Sequence, residues 1–349
     1  MKEETYEKML CALFTCLLLV SSVPIGLAEA PSAEWELFDY ETPFLWAENS
    51  DTILALQQEC EHKGEVVTLD YTAPAYAINE VLGRHEKLNK SVTVYLPYGY
   101  DETQQYDVLY LLHGTGGNNE YWLMKEKTGI PTVNVLDNLI DQGIIKPLIV
   151  VTPDWNADLK GKKNKIEDSV AAAYAEKIGE SGIGKRNDLW CLFFDQELVN
   201  DIIPLVEGRF STYAGGDTSA ENLTATRDHR ALAGLSRGSV ATLRSMLSHC
   251  DFFAWFGCFS GGWINQEQFK QAVLDTVAAD RPICYWYNGN GTEDFSLDSQ
   301  VSLVNMARTE LTDCLTDGEN MAFVVKEGSA HTYENWLTDL YNILIVFFN

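Results

Sequence analysis

The chain has 349 residues, 46% of them hydrophobic, and a formal net charge of −26. That length and apolar content suit one large core and exclude a fibrous or disordered protein. A polyanionic surface repels nucleic acid and anionic lipid headgroups, so neither is expected as a partner.

The first 30 residues read as a signal peptide: an apolar stretch from Met9 to Val20, then small residues ending at Ala28-Glu29-Ala30. The stretch is too short to span a bilayer comfortably, so secretion without stable membrane insertion is expected. The segment Met1 to Lys8 departs from the usual basic start, with three Glu against two Lys. Beyond residue 30 lie Cys60, Cys191, Cys250, Cys258, Cys284 and Cys314, with no C-x-x-C spacing, which gives no zinc site and no assignable pairing. Cys258 and Cys284 sit in apolar runs that suit buried free thiols.

Residues 31–63 are acidic and aromatic with weak periodicity and read as a leader; the pattern of a folded domain begins at Gly64 and runs to residue 349. Val66, Val67 and Leu69, then Val92 to Leu96, predict strands rich in β-branched and aromatic residues. Tyr106 to Leu112 and Pro147 to Thr152 are nearly continuous apolar runs, as expected of strands buried on both faces of a parallel sheet. Between them a helix is predicted over Thr132 to Gln142. Residues 195–209 place Leu198, Ile202, Ile203 and Val206 at near-helical spacing, but Pro204 would remove a hydrogen bond there. Further strands are expected at Arg230 to Gly234, Phe256 to Ser260, Ile283 to Tyr287 and Ala322 to Val325, with helices at Val240 to Leu247 and Tyr333 to Phe348. Strands alternating with helices predict an α/β fold around a mostly parallel sheet. The polar stretch Asn156 to Trp190 fits no strand or long helix; it is an excursion from the sheet, equally a lid or surface decoration.

Gly234-Leu235-Ser236-Arg237-Gly238 is a Gly-x-Ser-x-Gly pattern between a predicted strand and a helix-compatible run. At such a turn the serine is strained and exposed above the sheet, and the following backbone N–H groups face the same space. A serine hydroxyl needs a base to become a nucleophile, and histidine suits that role near neutral pH. In the order serine, acid, histidine the base lies beyond Ser236, which leaves His249 and His331. His249 ends the predicted helix and should point away from the turn, whereas His331 occupies a loop just after a strand. Glu293 and Asp294 both follow the strand ending near Tyr287, and the residues alone do not choose between them. His113-Gly114-Thr115-Gly116-Gly117 follows a buried strand and can present an N–H to an oxyanion. No Gly-Lys-Ser/Thr follows it, which argues against a phosphate loop.

Together with Tyr95 to Tyr100, Pro147 to Pro153, Ile203 to Glu207, Ser211 to Ala214 and Ala330-His331, these motifs resemble in order the bacterial feruloyl esterases of carbohydrate esterase family 1. That resemblance, which extends from about Gly64 to the C-terminus, implies an esterase D-like α/β-hydrolase fold with helices on both faces of the sheet. It implies Ser236 as nucleophile, His331 as base and Asp294 as acid, with oxyanion-hole N–H groups near Thr115 and at Arg237. Trp263, in Ser260-Gly261-Gly262-Trp263, matches a loop bordering the family's substrate cleft, or packs structurally. The implied substrate is acylated plant cell-wall polysaccharide or oligosaccharide, cleaved through an acyl-enzyme without metal or organic cofactor. Acetyl-xylan esterases and acylglutathione hydrolases share this machinery, and a non-catalytic carbohydrate-binding homologue is a further alternative. Positions 237 and 239, usually Met and Gly in the family, are Arg and Ser here. The sequence carries no signal for oligomeric state.

Overall fold

The computed structural model describes residues 50–156, 191 and 193–348. The expected signal peptide, most of the leader and residues 157–190 of the excursion lie outside the described residues. Eight strands form one sheet: β1 (Glu65–Pro74), β2 (Lys87–Leu96), β3 (Asp107–Leu112), β4 (Leu148–Pro153), β5 (Arg230–Leu235), β6 (Trp255–Phe259), β7 (Tyr285–Gly291) and β8 (Met321–Lys326). Their order is β1-β2-β4-β3-β5-β6-β7-β8. β1 and β2 pair antiparallel, as do β2 and β4, and every pairing from β4 to β8 is parallel. The parallel strands β3, β4 and β5 are buried at every position, which accounts for their largely apolar sequences; the polar members Asp107, Thr152 and Arg230 lie at or next to their ends.

Because side chains alternate along a strand, each parallel strand feeds two cores. One face carries Leu109, Leu111, Ala231, Ala233, Tyr287 and Val324, which cluster with Val135 and Leu139 of the helix Thr132–Asp141 and with Leu337, Leu340 and Ile343 of the helix Tyr333–Leu344. On the other face Phe269, from the helix Gln266–Ala278, packs its ring 5.0 Å from that of Trp286. Gln300, from the helix Leu297–Glu310, donates there to the Asn288 side chain at 3.0 Å. Helices therefore cover both faces of a mostly parallel sheet, the α/β-hydrolase architecture.

Gly289 permits one close approach: an added Cβ would lie 2.0 Å from Asp339 Oδ1 on the C-terminal helix. The helix Ser50–Leu56, in the stretch read as leader, buries Ile53 and Leu56 in the first core. Asn138 fastens its end by donating to the carbonyls of Leu56 and Gln58.

Three local expectations need correction. The stretch around Pro204 is helical but broken into Phe194–Glu197, a wider π turn at Leu198–Ile202, and Ile203–Glu207. Proline lacks the N–H that an α-helical ladder needs, and the widened turn upstream absorbs that defect. The C-terminal helix stops at Leu344 rather than continuing to Phe348. Cys284 is only half-buried, while Cys258 is fully buried; both are free thiols.

Candidate active site

The strand order places a topological switch beside β3, because its successor β4 lies on one side and β5 on the other. Chains leaving the carboxyl ends of such neighbours diverge and open a crevice. His113-Gly114 leaves β3 there, and Ser236 leaves β5.

Ser236 has φ 52° and ψ −114°, a backbone state that non-glycine residues rarely adopt. Its N–H donates to the Phe259 carbonyl at 2.7 Å, tying the turn to β6. The following helix, Arg237–His249, starts directly at the serine, three residues earlier than its sequence pattern suggests. Arg237 therefore places its backbone N–H in the first turn of the helix, directly after the serine. Glycines allow the surrounding crowding: a Cβ at Gly238 would lie 2.5 Å from the His113 carbonyl oxygen, and one at Gly234 2.5 Å from the Gly238 carbonyl oxygen. A Cβ at Gly114 would lie 3.4 Å from Ser236 Cβ, so the loop carrying Thr115 runs beside the serine. Thr115 itself is exposed.

The rings of His331 and the carboxylate of Asp294 come from loops after β8 and β7. These loops are laced together. Thr292 N–H donates to Lys326 O at 3.0 Å, Glu293 N–H to Ser329 O at 2.9 Å, and Gly328 N–H to Thr292 Oγ1 at 2.8 Å. Gly291 makes the approach possible, since a Cβ there would meet the Ser329 carbonyl oxygen at 2.0 Å. The result is one line of contacts: Ser236 Oγ lies 3.0 Å from His331 Nε2, and His331 Nδ1 lies 2.9 Å from each Asp294 oxygen. Of the two acids left open by the residues alone, Asp294 is buried and touches His331, while Glu293 is exposed. His249 ends its helix 3.4 Å from Asp195, away from this line.

Burial alone would raise the Asp294 carboxyl, but hydrogen bonds from His331 and from the hydroxyl and N–H of Ser296 hold it below the usual carboxylate range. A depressed folded-state pKa stabilises the protein above the unfolded value, about 3.9, and that stabilisation disappears as pH falls through the folded value. Asp294→Asn is accordingly expected to be less stable than the parent at neutral pH, with the difference in urea midpoint closing below about pH 4. With Asp294 as the acid that the resemblance implies, the same variant should also lose roughly 10⁴-fold in ester hydrolysis, because an amide does not hold the imidazole in the tautomer that such an acid fixes.

The mouth of the site holds one aromatic residue that the sequence did not single out, Phe295, beside Trp263 and Arg237, which it did. Phe295, next to Asp294, is 73% exposed, and its ring centroid lies 4.3 Å from that of His331. Trp263 stacks against Phe295 at 6.1 Å and 23°, and the Arg237 guanidinium lies 5.8 Å from the centre of the Trp263 ring. An aromatic directly after the candidate acid was the available sequence signal for Phe295. Behind the loop, His113 is buried against Trp155, with Nδ1 2.7 Å from the Gly114 carbonyl and Nε2 3.2 Å from Asp154. Among the described residues no three His, Cys, Asp or Glu side chains converge as metal ligands would.

A family model described as "Putative esterase" matches residues 87–347. Among curated proteins, endo-1,4-beta-xylanase Y of Acetivibrio thermocellus is 31% identical over 333 residues, 93% of this chain and 26% of that protein. An endo-1,4-beta-xylanase/feruloyl esterase of Xylanibacter ruminicola is 28% identical over 71% of this chain and 28% of its own length. The chain thus spans little more than a quarter of these curated relatives. Among solved structures, a serine-to-alanine mutant of the feruloyl esterase module from Clostridium thermocellum, complexed with sinapinate, superposes with a TM-score of 0.68. It is 26% identical and the match covers 89% of this chain and 96% of the module. A ferulic acid esterase from the fungus Anaeromyces mucronatus, 19% identical over 83% of this chain and 93% of its own, shares the fold with a TM-score of 0.58.

Proposed function

Since this chain belongs to the Esterase family and is a serine esterase, we propose that it hydrolyses feruloyl or related hydroxycinnamoyl esters on plant cell-wall polysaccharide. The observation that carries the reading is the contact of Ser236 with His331 and of His331 with Asp294 at the switch point of the sheet. The likeness to a feruloyl esterase module over nearly its whole length directs that chemistry to hydroxycinnamates. Export by the first 30 residues belongs to the same proposal, since a polysaccharide substrate lies outside the cell. No helix among the described residues is long and apolar enough to cross a membrane.

In this reading His331 Nε2 takes the Ser236 hydroxyl proton as Oγ attacks the ester carbonyl carbon. The oxyanion that forms is held by backbone N–H groups near Thr115 and at Arg237. Asp294 stabilises the imidazolium, as the buried acid of such triads does. The intermediate collapses with cleavage of the carbon–oxygen bond, and His331 returns the proton to the departing sugar oxygen. Water then attacks the acyl-enzyme with His331 again as base, releasing hydroxycinnamic acid and restoring the Ser236 hydroxyl.

A side-by-side assay of methyl ferulate, acetylated xylan and a short aryl ester tests the substrate. The proposal expects kcat/KM for methyl ferulate to exceed that for release of acetate from xylan by at least roughly tenfold, about 1.4 kcal/mol of discrimination. The reverse preference would make the chain an acetyl-xylan esterase of the same fold.

A further inference from the structure

We infer that Phe295 forms the subsite for the alcohol side of the ester, where the sugar ring of the leaving group rests, and is therefore a specificity-determining residue. This rests on the proposed roles of Ser236 and His331. The argument follows the proton. When the tetrahedral intermediate collapses, the leaving oxygen must come within hydrogen-bonding distance of His331 Nε2 to collect it. The first ring attached to that oxygen then lies beside the imidazole and against whatever else borders it.

Among the described residues two aromatic rings touch the imidazole, Phe295 at 4.3 Å and Trp336 at 4.8 Å. Trp336 is only 7% exposed and donates its indole N–H to Ser260 Oγ at 2.8 Å, so it belongs to the wall behind the site. Phe295 is 73% exposed and is the face open to an incoming ring.

Its backbone is firmly based, because both chain neighbours are buried. Ser296 donates its N–H at 2.8 Å and its hydroxyl at 2.6 Å to Asp294. Trp263 stacks on Phe295, giving a continuous aromatic surface from His331 outward. Single exposed apolar residues are ordinary, but a stacked pair abutting the candidate base is a binding surface. A sugar presents axial C–H groups on its flat face, which pack against an aromatic ring through apolar contact and weak C–H interactions. A methyl leaving group has no such face to lay on this surface.

The test compares kcat/KM on methyl ferulate and on a feruloylated arabinoxylan oligosaccharide for the parent, Phe295→Ala and Phe295→Trp, with thermal midpoints as a folding check. Phe295→Ala should lose about tenfold on the oligosaccharide and stay within about twofold on methyl ferulate, and Phe295→Trp should recover the oligosaccharide activity. Equal losses on both esters, or no loss on the oligosaccharide, would overturn the inference and leave the proposed function standing. Absence of turnover of either ester by the parent would overturn the proposed function and the inference with it.

Discussion

Ser236→Ala is expected to fold as the parent does and to lose ester hydrolysis by roughly 10⁴-fold or more, because in the proposed mechanism the acyl-enzyme bond forms on the missing oxygen. Stability should hardly change. Alanine carries the same Cβ into the same backbone state, φ 52° and ψ −114°, so the strain at this turn is retained. Ser236→Gly separates the two properties: it should be equally inactive, yet more stable than Ser236→Ala by about 1 kcal/mol, since glycine occupies positive φ without steric cost. Hydrolysis of an aryl ester gives the first comparison and urea denaturation the second. Turnover of the alanine variant within tenfold of the parent would remove Ser236 from the reaction. A glycine variant no more stable than the alanine variant would show that the surrounding contacts relieve the turn.

Glu207→Ala is expected to cost about 3–5 kcal/mol of unfolding free energy. Glu207 and Arg230 each expose 1% of their side chains and meet face to face, with Arg230 Nε donating to Oε1 at 2.7 Å and Nη2 to Oε2 at 2.9 Å. Tyr110 and Thr212 donate to the same carboxylate, at 2.9 Å and 3.2 Å, and Arg230 Nη1 donates to the carbonyls of Leu223 and Phe252. Removing the carboxylate strands a buried guanidinium at the start of β5, the strand that leads into Ser236. The penalty is that of an uncompensated charge, not of the pair itself. Replacing both partners together, Glu207→Leu with Arg230→Met, should therefore recover most of the loss. Urea melts of the single and double variants decide the point: a single variant within about 1 kcal/mol of the parent would mean that water reaches the cation.

The two kinds of side chain differ in how they announce themselves. Ser236 stands in a local pattern whose meaning is set by its own neighbours, a strand before it and a helix after it. Glu207 lies in a helix with nothing nearby in sequence to mark it as buried, because its partner is 23 residues away. Phe295 is similar: its contact with His331 spans 36 positions, and an exposed aromatic has no periodic signature. The helices Gln266–Ala278 and Leu297–Glu310 also escaped the pattern reading. In Gln266–Ala278, Phe269, Val273 and Thr276 are buried among charged and polar neighbours. Leu297–Glu310 buries the polar residues Gln300 and Asn305, and Gln300 donates to the Cys258 carbonyl and the Asn288 side chain of the sheet.

Local sequence determined the central parallel strands, since largely apolar runs suit a helix layer on each side, and it determined the serine turn, since the chain there needs glycines at fixed positions. Tertiary structure decided the rest. Local pattern leaves Asp294 and Glu293 equal, and beyond the family resemblance they are separated by the lacing of the loops after β7 and β8, which buries one carboxylate against His331 and leaves the other in water. Hydrogen-bond geometry and burial depend on groups brought from distant parts of the chain, and no run of neighbouring residues encodes them.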